Sequence, residues 1–255
     1  MSSMRLSILL PVRDETLNLK VMLRILQAML TPEEAEVVVI FDRADDLGIP
    51  VVESFAAAGE GRVRGVLNTL GPGVANALRA GVAAARGERI LVFAADEVGP
   101  VVAIEVMMAL MDEGCRFVSC TRYAHGGRRL GGSWIGHFLS AMANRLLRGV
   151  SSIALTDATT GIKMFLREDF PRLTHDAQSV GWAVAFEMSI AAHLQGFPLG
   201  EVPIISIDRL FGGRSTFRLV PWVIGYLRYF WLAMRRLPPG RRPPVRVRIP
   251  EGYGG

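Results

Sequence analysis

The segment GVANALRAGVAAARGERILVFAADEVGP, residues 73–100, contains the pattern that decides the fold. Small and apolar residues fill its first half until a glycine closes it, and the apolar run Ile90–Ala94 follows. Two acids, Asp96 and Glu97, come directly after that run, and a Gly-Pro pair ends it. The pattern predicts a helix, then a buried strand, then a loop that holds carboxylates at the carboxyl end of the strand.

The same alternation of strand and helix runs through the first half of the chain. The strand-like runs are RLSILLPV, EVVVIFD, VRGVLNT, RILVFAAD and CRFVSCTRY. Continuous apolar strands that alternate with helices indicate an α/β fold with a mostly parallel sheet covered on both faces. Ligands of such sheets bind outside the carboxyl ends of the strands. We therefore expect Asp42, Asp96 and Arg122, which each follow a strand, to converge on one crevice.

The second half of the chain is less regular. The sequence as a whole suggests three parts. We expect one α/β domain over residues 1–216, a helix over residues 217–237 and a basic tail over residues 238–255. The tail is rich in Pro, Gly and Arg, a composition that predicts a disordered or loosely bound segment.

Composition narrows the class of partner without selecting one. Half of the 255 residues are hydrophobic and the formal net charge is +5. A basic balance suits nucleic acid, phosphorylated ligands or an anionic membrane surface. No secretory signal precedes the first strand, so we expect Cys115 and Cys120 to be free thiols in a reducing, cytosolic location.

Several common site motifs are absent from the sequence. No G-x-G-x-x-G follows the first strand, no P-loop lysine is present, no G-x-S-x-G occurs, and the four histidines are scattered. What remains is a set of acids at strand ends and arginines in loops. Acids at a strand end can bind a hard divalent cation, which in turn neutralises a diphosphate.

The order of five segments carries a family resemblance. They are SILLPVRDETLNL, EVVVIFDRADD, GPGVANALRAGVAAARGERILVFAADE, CTRYAHGG and DATTGIKMF. In this order they resemble family-2 glycosyltransferases with the GT-A fold, a Rossmann-like, mostly parallel sheet with helices on both faces. Within that family the chain is similar to dolichol-phosphate mannose synthase-like enzymes, which make polyprenyl-phosphate sugars. The resemblance covers about residues 5–217, and FEMSIAAHLQGFPLGEVPIISIDRLFGGRST matches the ending typical of that subgroup.

The resemblance assigns eight positions to a nucleotide-diphosphate sugar donor. They are Pro11, Arg13, Glu15, Asp42, Asp96, Arg122, Arg209 and Arg214. It implies that Arg122 clamps a phosphate, and that Arg209 and Arg214 lie in a loop that covers the diphosphate.

The resemblance also implies a metal site and a catalytic set. Asp96 stands at the last acid of the D-x-D metal motif with Glu97 beside it, which implies Mg²⁺ or Mn²⁺ at these carboxylates. Asp157 opens the D-x-T-(S/T)-G segment near the acceptor site, and the implied catalytic residues are Asp96, Arg122, Asp157 and Arg209. Glu187, on a later helix, has two open interpretations, a structural ion pair or a role in the site.

The chain departs from the family pattern at several positions. Ala94 replaces the first acid of D-x-D, Phe41 replaces the first acid of the D-D pair, and Arg13-Asp14 stands in place of Tyr-Asn. Four outcomes are compatible with these changes: a metal held by Asp96 with Glu97, a different donor, a metal-independent site, or a lost activity. Asp45 and Asp46 in the same region are expected to be solvated turn residues.

The activity that the resemblance implies is inverting transfer of a hexose from a nucleotide-diphosphate sugar to a polyprenyl phosphate. The acceptor is already ionised, so catalysis rests on positioning and on stabilising the leaving diphosphate. One alternative is an enzyme of the same fold with a different lipid, polysaccharide or small-molecule acceptor. Another is a catalytically lost module that binds nucleotide sugar or membrane. We expect no nucleic-acid partner, and a homo-oligomer is left open.

The segment 217–237 bears on the membrane. It is aromatic and apolar on nearly all sides, but its apolar stretch falls below the roughly 20 residues that a spanning helix requires. Arg228 lies inside it and Arg235 and Arg236 close it, and its aromatic residues suit the headgroup level. We expect an interfacial helix that holds the protein peripherally on the inner, cytoplasmic face of a membrane. A core or oligomer contact is the alternative, and a spanning helix is the least favoured.

Overall fold

An eight-stranded sheet runs through the part of the chain that the computed structural model describes, which is residues 4–30, 34–59, 61–130, 134–174, 181–207 and 219–251. Its strands are β1 (Leu6–Val12), β2 (Ala35–Phe41), β3 (Val63–Leu67), β4 (Arg89–Val92), β5 (Phe117–Thr121), β7 (Lys163–Leu166), β8 (Leu199–Pro203) and β10 (Val245–Val247). A second sheet contains β6 (Arg128–Leu130) and β9 (Ile205–Ile207).

The helices connect these strands. They are α1 (Leu17–Met29), α2 (Ile49–Ala57), α3 (Val74–Ala84), α4 (Ala103–Asp112), α5 (Trp134–Val150), α6 (Phe170–Leu173), α7 (Ala183–Leu194) and α8 (Leu219–Arg236). Short 3-10 turns cover Gly99–Val102 and Arg167–Asp169.

The strand order of the large sheet is β10-β8-β5-β7-β4-β1-β2-β3. The pairs β1–β2, β1–β4, β2–β3, β5–β8 and β8–β10 are parallel. Strand β7 is antiparallel to both of its neighbours, β4 and β5. The predicted α/β fold with a mostly parallel sheet is confirmed, and β7 starts at the edge of the sheet where β4 and β5 end.

Helices cover both faces of the sheet, as the sequence predicts. Alternate residues of a strand point to opposite faces. Thus Ile8 and Leu10 pack with α1 and α4, whereas Leu9 between them packs with α3 and α7. Both apolar clusters are almost fully buried, so each face of the sheet contributes a hydrophobic core.

Helix α8 adds a third apolar cluster beside the sheet. Tyr229 and Ala233 of α8, with Leu237 after it, are buried against Phe186 of α7 and Leu147 of α5. One face of α8 is therefore part of the core. No helix in the described ranges has the combined length and apolar character needed to cross a membrane.

The structure differs from the expectation for the basic tail. Residues Val245–Val247 form β10, an edge strand parallel to β8, and the Arg248 N–H donates to the Glu201 carbonyl at 3.3 Å. The Arg248 guanidinium also pairs with Glu113 at 2.8 Å. The expectation of a disordered or loosely bound tail is wrong for this segment, because alternating valines supply a strand that the Pro, Gly and Arg composition conceals.

Candidate active site

Four predicted site residues lie where strands end at one edge of the sheet. Pro11 lies in β1, Asp42 follows β2, Asp96 follows β4 and Arg122 follows β5. Since β1, β2 and β4 are parallel neighbours, their carboxyl ends meet. Strand β5 ends at the same edge, because β7 runs antiparallel to both β4 and β5.

Asp42 is bonded to the loop that leads into α3. Its Oδ1 accepts a hydrogen bond from Asn68 Nδ2 at 2.8 Å, and its Oδ2 accepts one from the Gly73 N–H at 2.9 Å. Asn68 Nδ2 also donates to the Gly71 carbonyl at 2.7 Å. Gly71 and Gly73 have φ values of 99° and 119°, a region that favours glycine. A carboxylate has about four lone-pair positions, so Asp42 can hold this loop and still accept a hydrogen bond from a ligand.

Asp46, which we expected to be a solvated turn residue, shapes the loop that follows β1. Asp14 has a positive φ of 53°, and its N–H donates to Asp46 Oδ2 at 2.9 Å. Asp46 Oδ1 accepts the Gly48 N–H at 2.8 Å. Asp46 is buried, so the expectation that it is solvated is wrong, because the left-handed turn at Asp14 uses its carboxylate. Asp45 is exposed and pairs with Arg43 at 2.8 Å.

Two further residues that the resemblance assigns to nucleotide-sugar binding, Arg13 and Glu15, lie on this loop. Arg13 is exposed at its start. Glu15 is half-buried and accepts a hydrogen bond from Asn18 Nδ2 at 2.9 Å. Both follow Pro11, so the loop after β1 carries one cation, Arg13, and the carboxylates of Asp14 and Glu15.

Asp96 and Glu97 lie half-buried in the loop after β4, where the Glu97 N–H closes a turn on the Ala94 carbonyl at 3.2 Å. Among the described residues, no group of three or more His, Cys, Asp or Glu side chains is arranged to hold a metal ion. Mg²⁺ is commonly bound by one or two carboxylates with phosphate oxygens completing the shell. Asp96 and Glu97 supply the number of carboxylates that such a site uses.

Phe41 and Ala94, which stand where the family pattern has acids, have different surroundings. Phe41 is buried in the core over Gly65, where a Cβ would come within 3.1 Å of the Phe41 ring. Its side chain therefore contributes to packing and does not line the crevice. Ala94 is half-buried next to Asp96 in the turn itself.

A buried ion pair joins Arg122 to Asp157. Arg122 Nε lies 2.7 Å from Asp157 Oδ2, and Arg122 Nη2 lies 3.1 Å from Oδ1. Asp157 is fully buried and precedes β7, so it lies at the same sheet edge as the end of β5. The bidentate geometry fixes the plane of the guanidinium.

The Asp157 carboxylate also organises its own turn. Its Oδ1 accepts the backbone N–H groups of Thr159 and Thr160, both at 3.2 Å. Asn144 of α5 donates to Asp157 Oδ1 at 3.3 Å and to Thr159 Oγ1 at 3.0 Å. Helix α5 is thereby bonded directly to the ion pair.

Burial and charge act in opposite directions on this pair. Burial alone lowers the pKa of Arg122, but the charge and hydrogen bonds of Asp157 outweigh it and raise that pKa. Burial alone raises the pKa of Asp157, but Arg122, Lys163 and Thr159 outweigh it and lower that pKa. Both groups are therefore charged at neutral pH.

With this geometry in view, comparison with known proteins gives the family. Residues 7–174 match the model of Glycosyl transferase family 2. The chain belongs to this family. It is a transferase, as the sequence resemblance implied.

Relatives of this glycosyltransferase agree with the resemblance. A dolichol-phosphate mannosyltransferase of Mycosarcoma maydis is 23% identical over 205 residues, which are 77% of this chain and 68% of that protein. Glucosyl-3-phosphoglycerate synthase of Mycobacterium tuberculosis, crystallised with Mn²⁺, UDP and glucosyl-3-phosphoglycerate, gives a TM-score of 0.68 at 17% identity, over 93% of this chain and 82% of that one. The same enzyme with phosphoglyceric acid gives 0.69 at 17%, over 95% and 88%. The GT-A fold is thereby confirmed.

A buried polar layer next to the ion pair of this glycosyltransferase was not predicted from the sequence. Lys163 Nζ donates to Ser119 Oγ at 2.7 Å, and Glu201 Oε1 accepts the N–H groups of Thr156 at 2.8 Å and Asp157 at 3.2 Å. A signal was present, because both Lys163 and Glu201 interrupt apolar strand sequences, and a buried charge needs a partner.

Helix α8 packs against α7 and α5. Burial raises the pKa of Tyr226 of α8 to about 12, and the charge of Arg122 acts against that rise. Glu187 of α7 is buried and accepts a hydrogen bond from Tyr229 Oη at 3.1 Å, which fastens α7 to α8. The predicted site residues Arg209 and Arg214 lie outside the described residues.

Proposed function

We propose that this glycosyltransferase moves a hexose from a nucleotide-diphosphate sugar to a polyprenyl phosphate, with inversion by a single displacement. The observation that carries the acceptor assignment is the two-sided character of α5. Asn144 on one side contacts Asp157, whereas Phe138, Leu139, Met142 and Leu146 on the opposite side are between 41% and 55% exposed. An exposed apolar stripe on the helix that borders an anion-binding site suits an acceptor with a phosphate and a hydrocarbon chain.

The chain's own residues account for the chemistry in electrostatic terms. A polyprenyl phosphate is already ionised, so the reaction needs no strong general base. A guanidinium gripped on one edge by a carboxylate still presents its remaining N–H groups to a second anion, which makes Arg122 the phosphate-positioning group. Asp96 and Glu97 would hold a divalent ion that offsets the charge of the leaving diphosphate. We propose that Arg209 and Arg214 bind that diphosphate.

A small phosphorylated acceptor is the second candidate. It is favoured by the fold likeness to a synthase that was crystallised with phosphoglyceric acid. This candidate leaves the exposed stripe of α5 without a purpose, whereas the name of the Mycosarcoma maydis relative agrees with a lipid acceptor.

Release of nucleoside diphosphate separates these candidates. Each sugar donor of a panel is incubated with polyprenyl phosphate, with phosphoglyceric acid, or with neither. We expect release to depend on polyprenyl phosphate. Release that depends on phosphoglyceric acid alone supports the second candidate, and binding without any release indicates a non-catalytic module.

Metal removal should weaken donor binding. Asp96 and Glu97 alone cannot fill the coordination shell of a divalent ion. The ion and the diphosphate should therefore bind together, because the diphosphate oxygens complete that shell. We expect nucleoside diphosphate to bind at least about tenfold more weakly without Mn²⁺, a change of about 1.4 kcal/mol. Calorimetry measures this for the wild type, for Asp96→Ala and for Glu53→Ala, which removes an exposed acid of α2. Equal affinity with and without Mn²⁺ contradicts metal use.

The outer surfaces of α5 and α8 support a peripheral position on an anionic membrane surface, which we propose to be the inner face of the membrane. Leu227 and Trp231 of α8 are 60% and 56% exposed, and the Arg235 guanidinium lies 5.1 Å from the Trp231 ring centroid. Arg145 of α5 and Arg228 of α8 are exposed as well. Each such arginine adds about 1 kcal/mol of attraction to anionic lipid near the surface.

Flotation with vesicles tests this surface. Truncation after residue 216 would also remove β10 and the α8 core face, so point variants are the better probe. We expect the wild type to float with anionic vesicles at low salt and to float less as salt rises. Leu227→Ser with Trp231→Ser should stay in the soluble fraction, whereas Met29→Ser with Leu194→Ser, which removes exposed apolar groups elsewhere, should float. Equal flotation of both variants contradicts the assignment.

A further inference from the structure

Lys163 is an unusual cation for its position. The chain has 29 basic residues, and its lysines are Lys20 and Lys163. The Lys163 side chain is 0% exposed, at the start of β7 between Val92 of β4 and Ser119 of β5. Lysine is almost never fully buried unless it is paired. A buried lysine at the edge of the site therefore calls for a specific reason.

The contacts of Lys163 lie directly beneath the Asp157 turn. Its Nζ donates to Ser119 Oγ at 2.7 Å and to the Ala158 carbonyl at 3.4 Å. The same carbonyl accepts a hydrogen bond from Ser189 Oγ at 2.8 Å, and the Ala158 N–H donates to Asn144 Oδ1 at 3.0 Å. Buried side chains thus hold both the N–H and the carbonyl of Ala158, the residue that follows Asp157.

Glu201 holds the peptides on the other side of the same aspartate. Its Oε1 accepts the N–H groups of Thr156 and Asp157. Glu201 is 1% exposed, and burial raises its pKa. The backbone from residue 156 to residue 158 is therefore fixed by one buried acid and one buried base.

The charges that face Lys163 come close to cancelling. Asp157 and Glu201 are acids, Arg122 is a second cation, and the Cys120 thiol of β5 stays neutral because burial raises its pKa. Two cations and two carboxylates sum to zero. Loss of the Lys163 proton leaves this group of side chains with one net negative charge. That charge lies near the Arg122 guanidinium and disfavours the binding of an anion there.

The surroundings of Lys163 favour loss of that proton at a lower pH than for an exposed lysine. Burial lowers its pKa to about 8, against the opposing pull of Asp157 and Glu201. From Glu97, in the loop after β4, a further negative charge acts on Arg122 and Cys120.

We propose that Lys163 is a positioning residue whose charge holds the Asp157 turn and Arg122 ready for an anionic acceptor. The inference rests on the proposed function, in which the acceptor is a phosphate. It adds a dependence on pH that a phosphate clamp by Arg122 alone does not have, since the guanidinium keeps its proton throughout.

Initial rates between pH 6.5 and 9.5 test this proposal. If only the protonated form binds acceptor, the acceptor KM of the wild type rises about tenfold from pH 7 to pH 9, while the donor KM changes little. Lys163→Met should have a raised acceptor KM that no longer changes with pH. Lys20→Met, which removes an exposed lysine of α1, should behave as the wild type does.

The outcomes are separable. A Lys163→Met enzyme with the acceptor KM and pH profile of the wild type overturns the proposal. Should that variant fail to fold, Ser119→Ala, which removes the 2.7 Å hydrogen bond to the charged amine, must move the wild-type transition to lower pH, and an unmoved transition overturns the proposal. No turnover of polyprenyl phosphate by the wild type at pH 7 contradicts the proposed function itself.

Discussion

Asp157→Asn should lower the free energy of unfolding by about 3–5 kcal/mol, because it leaves the buried Arg122 guanidinium without its counter-charge. The wild-type carboxylate is 0% exposed and bonds Arg122 through both oxygens. Urea unfolding at pH 7 measures the loss. In Arg122→Met with Asp157→Asn, both charges are absent and much of the stability should return. A single variant as stable as the wild type contradicts the assignment of a buried, charged pair.

The same variant predicts a dependence on pH. The pKa of Asp157 in the folded protein is lowered, since Arg122, Lys163 and Thr159 outweigh burial. Its contribution to stability is therefore fully present above its unfolded pKa of about 3.9 and is lost as pH falls through the folded value. The difference in stability between wild type and variant should be complete at pH 7 and should shrink in acid.

Arg122→Lys should reduce turnover at least tenfold, a loss of about 1.4 kcal/mol of transition-state stabilisation for each factor of ten. Lysine keeps the charge, but its ammonium cannot grip Asp157 through two parallel bonds and present further N–H groups to a phosphate. Steady-state rates with saturating donor measure the loss. Arg24→Lys, at an exposed position of α1, is the matched control. Full activity of Arg122→Lys is incompatible with a phosphate-positioning guanidinium.

The placement of Asp42, Asp96 and Arg122 could be predicted because it follows from local sequence. Each comes where an apolar run stops, and parallel strands bring such stops to one edge. The layer beneath could not be predicted in the same way. Lys163 meets a serine 44 positions away, and Glu201 meets the Asp157 peptide across a similar separation. Such contacts depend on strand order, which hydrophobic periodicity does not contain.

Two errors have related physical causes. Composition averaged over the tail hides Val245–Val247, whose three residues pair with β8 because an edge of the sheet is available there. Asp46 is predicted to be solvated from its charge alone, whereas its carboxylate is buried and accepts the N–H of Asp14, 32 positions away. In both cases a distant backbone decides the environment of a polar segment.

In the proposed reaction, the phosphate of a polyprenyl chain is the acceptor and Arg122 positions it. The most direct measurement uses a nucleotide-diphosphate sugar labelled in its hexose, with Mn²⁺ and polyprenyl phosphate, followed by extraction into organic solvent. We expect label in the organic phase that requires polyprenyl phosphate and falls at least about tenfold in Arg122→Lys. Label that stays in the aqueous phase with every donor, while nucleoside diphosphate is released to another acceptor, would contradict it.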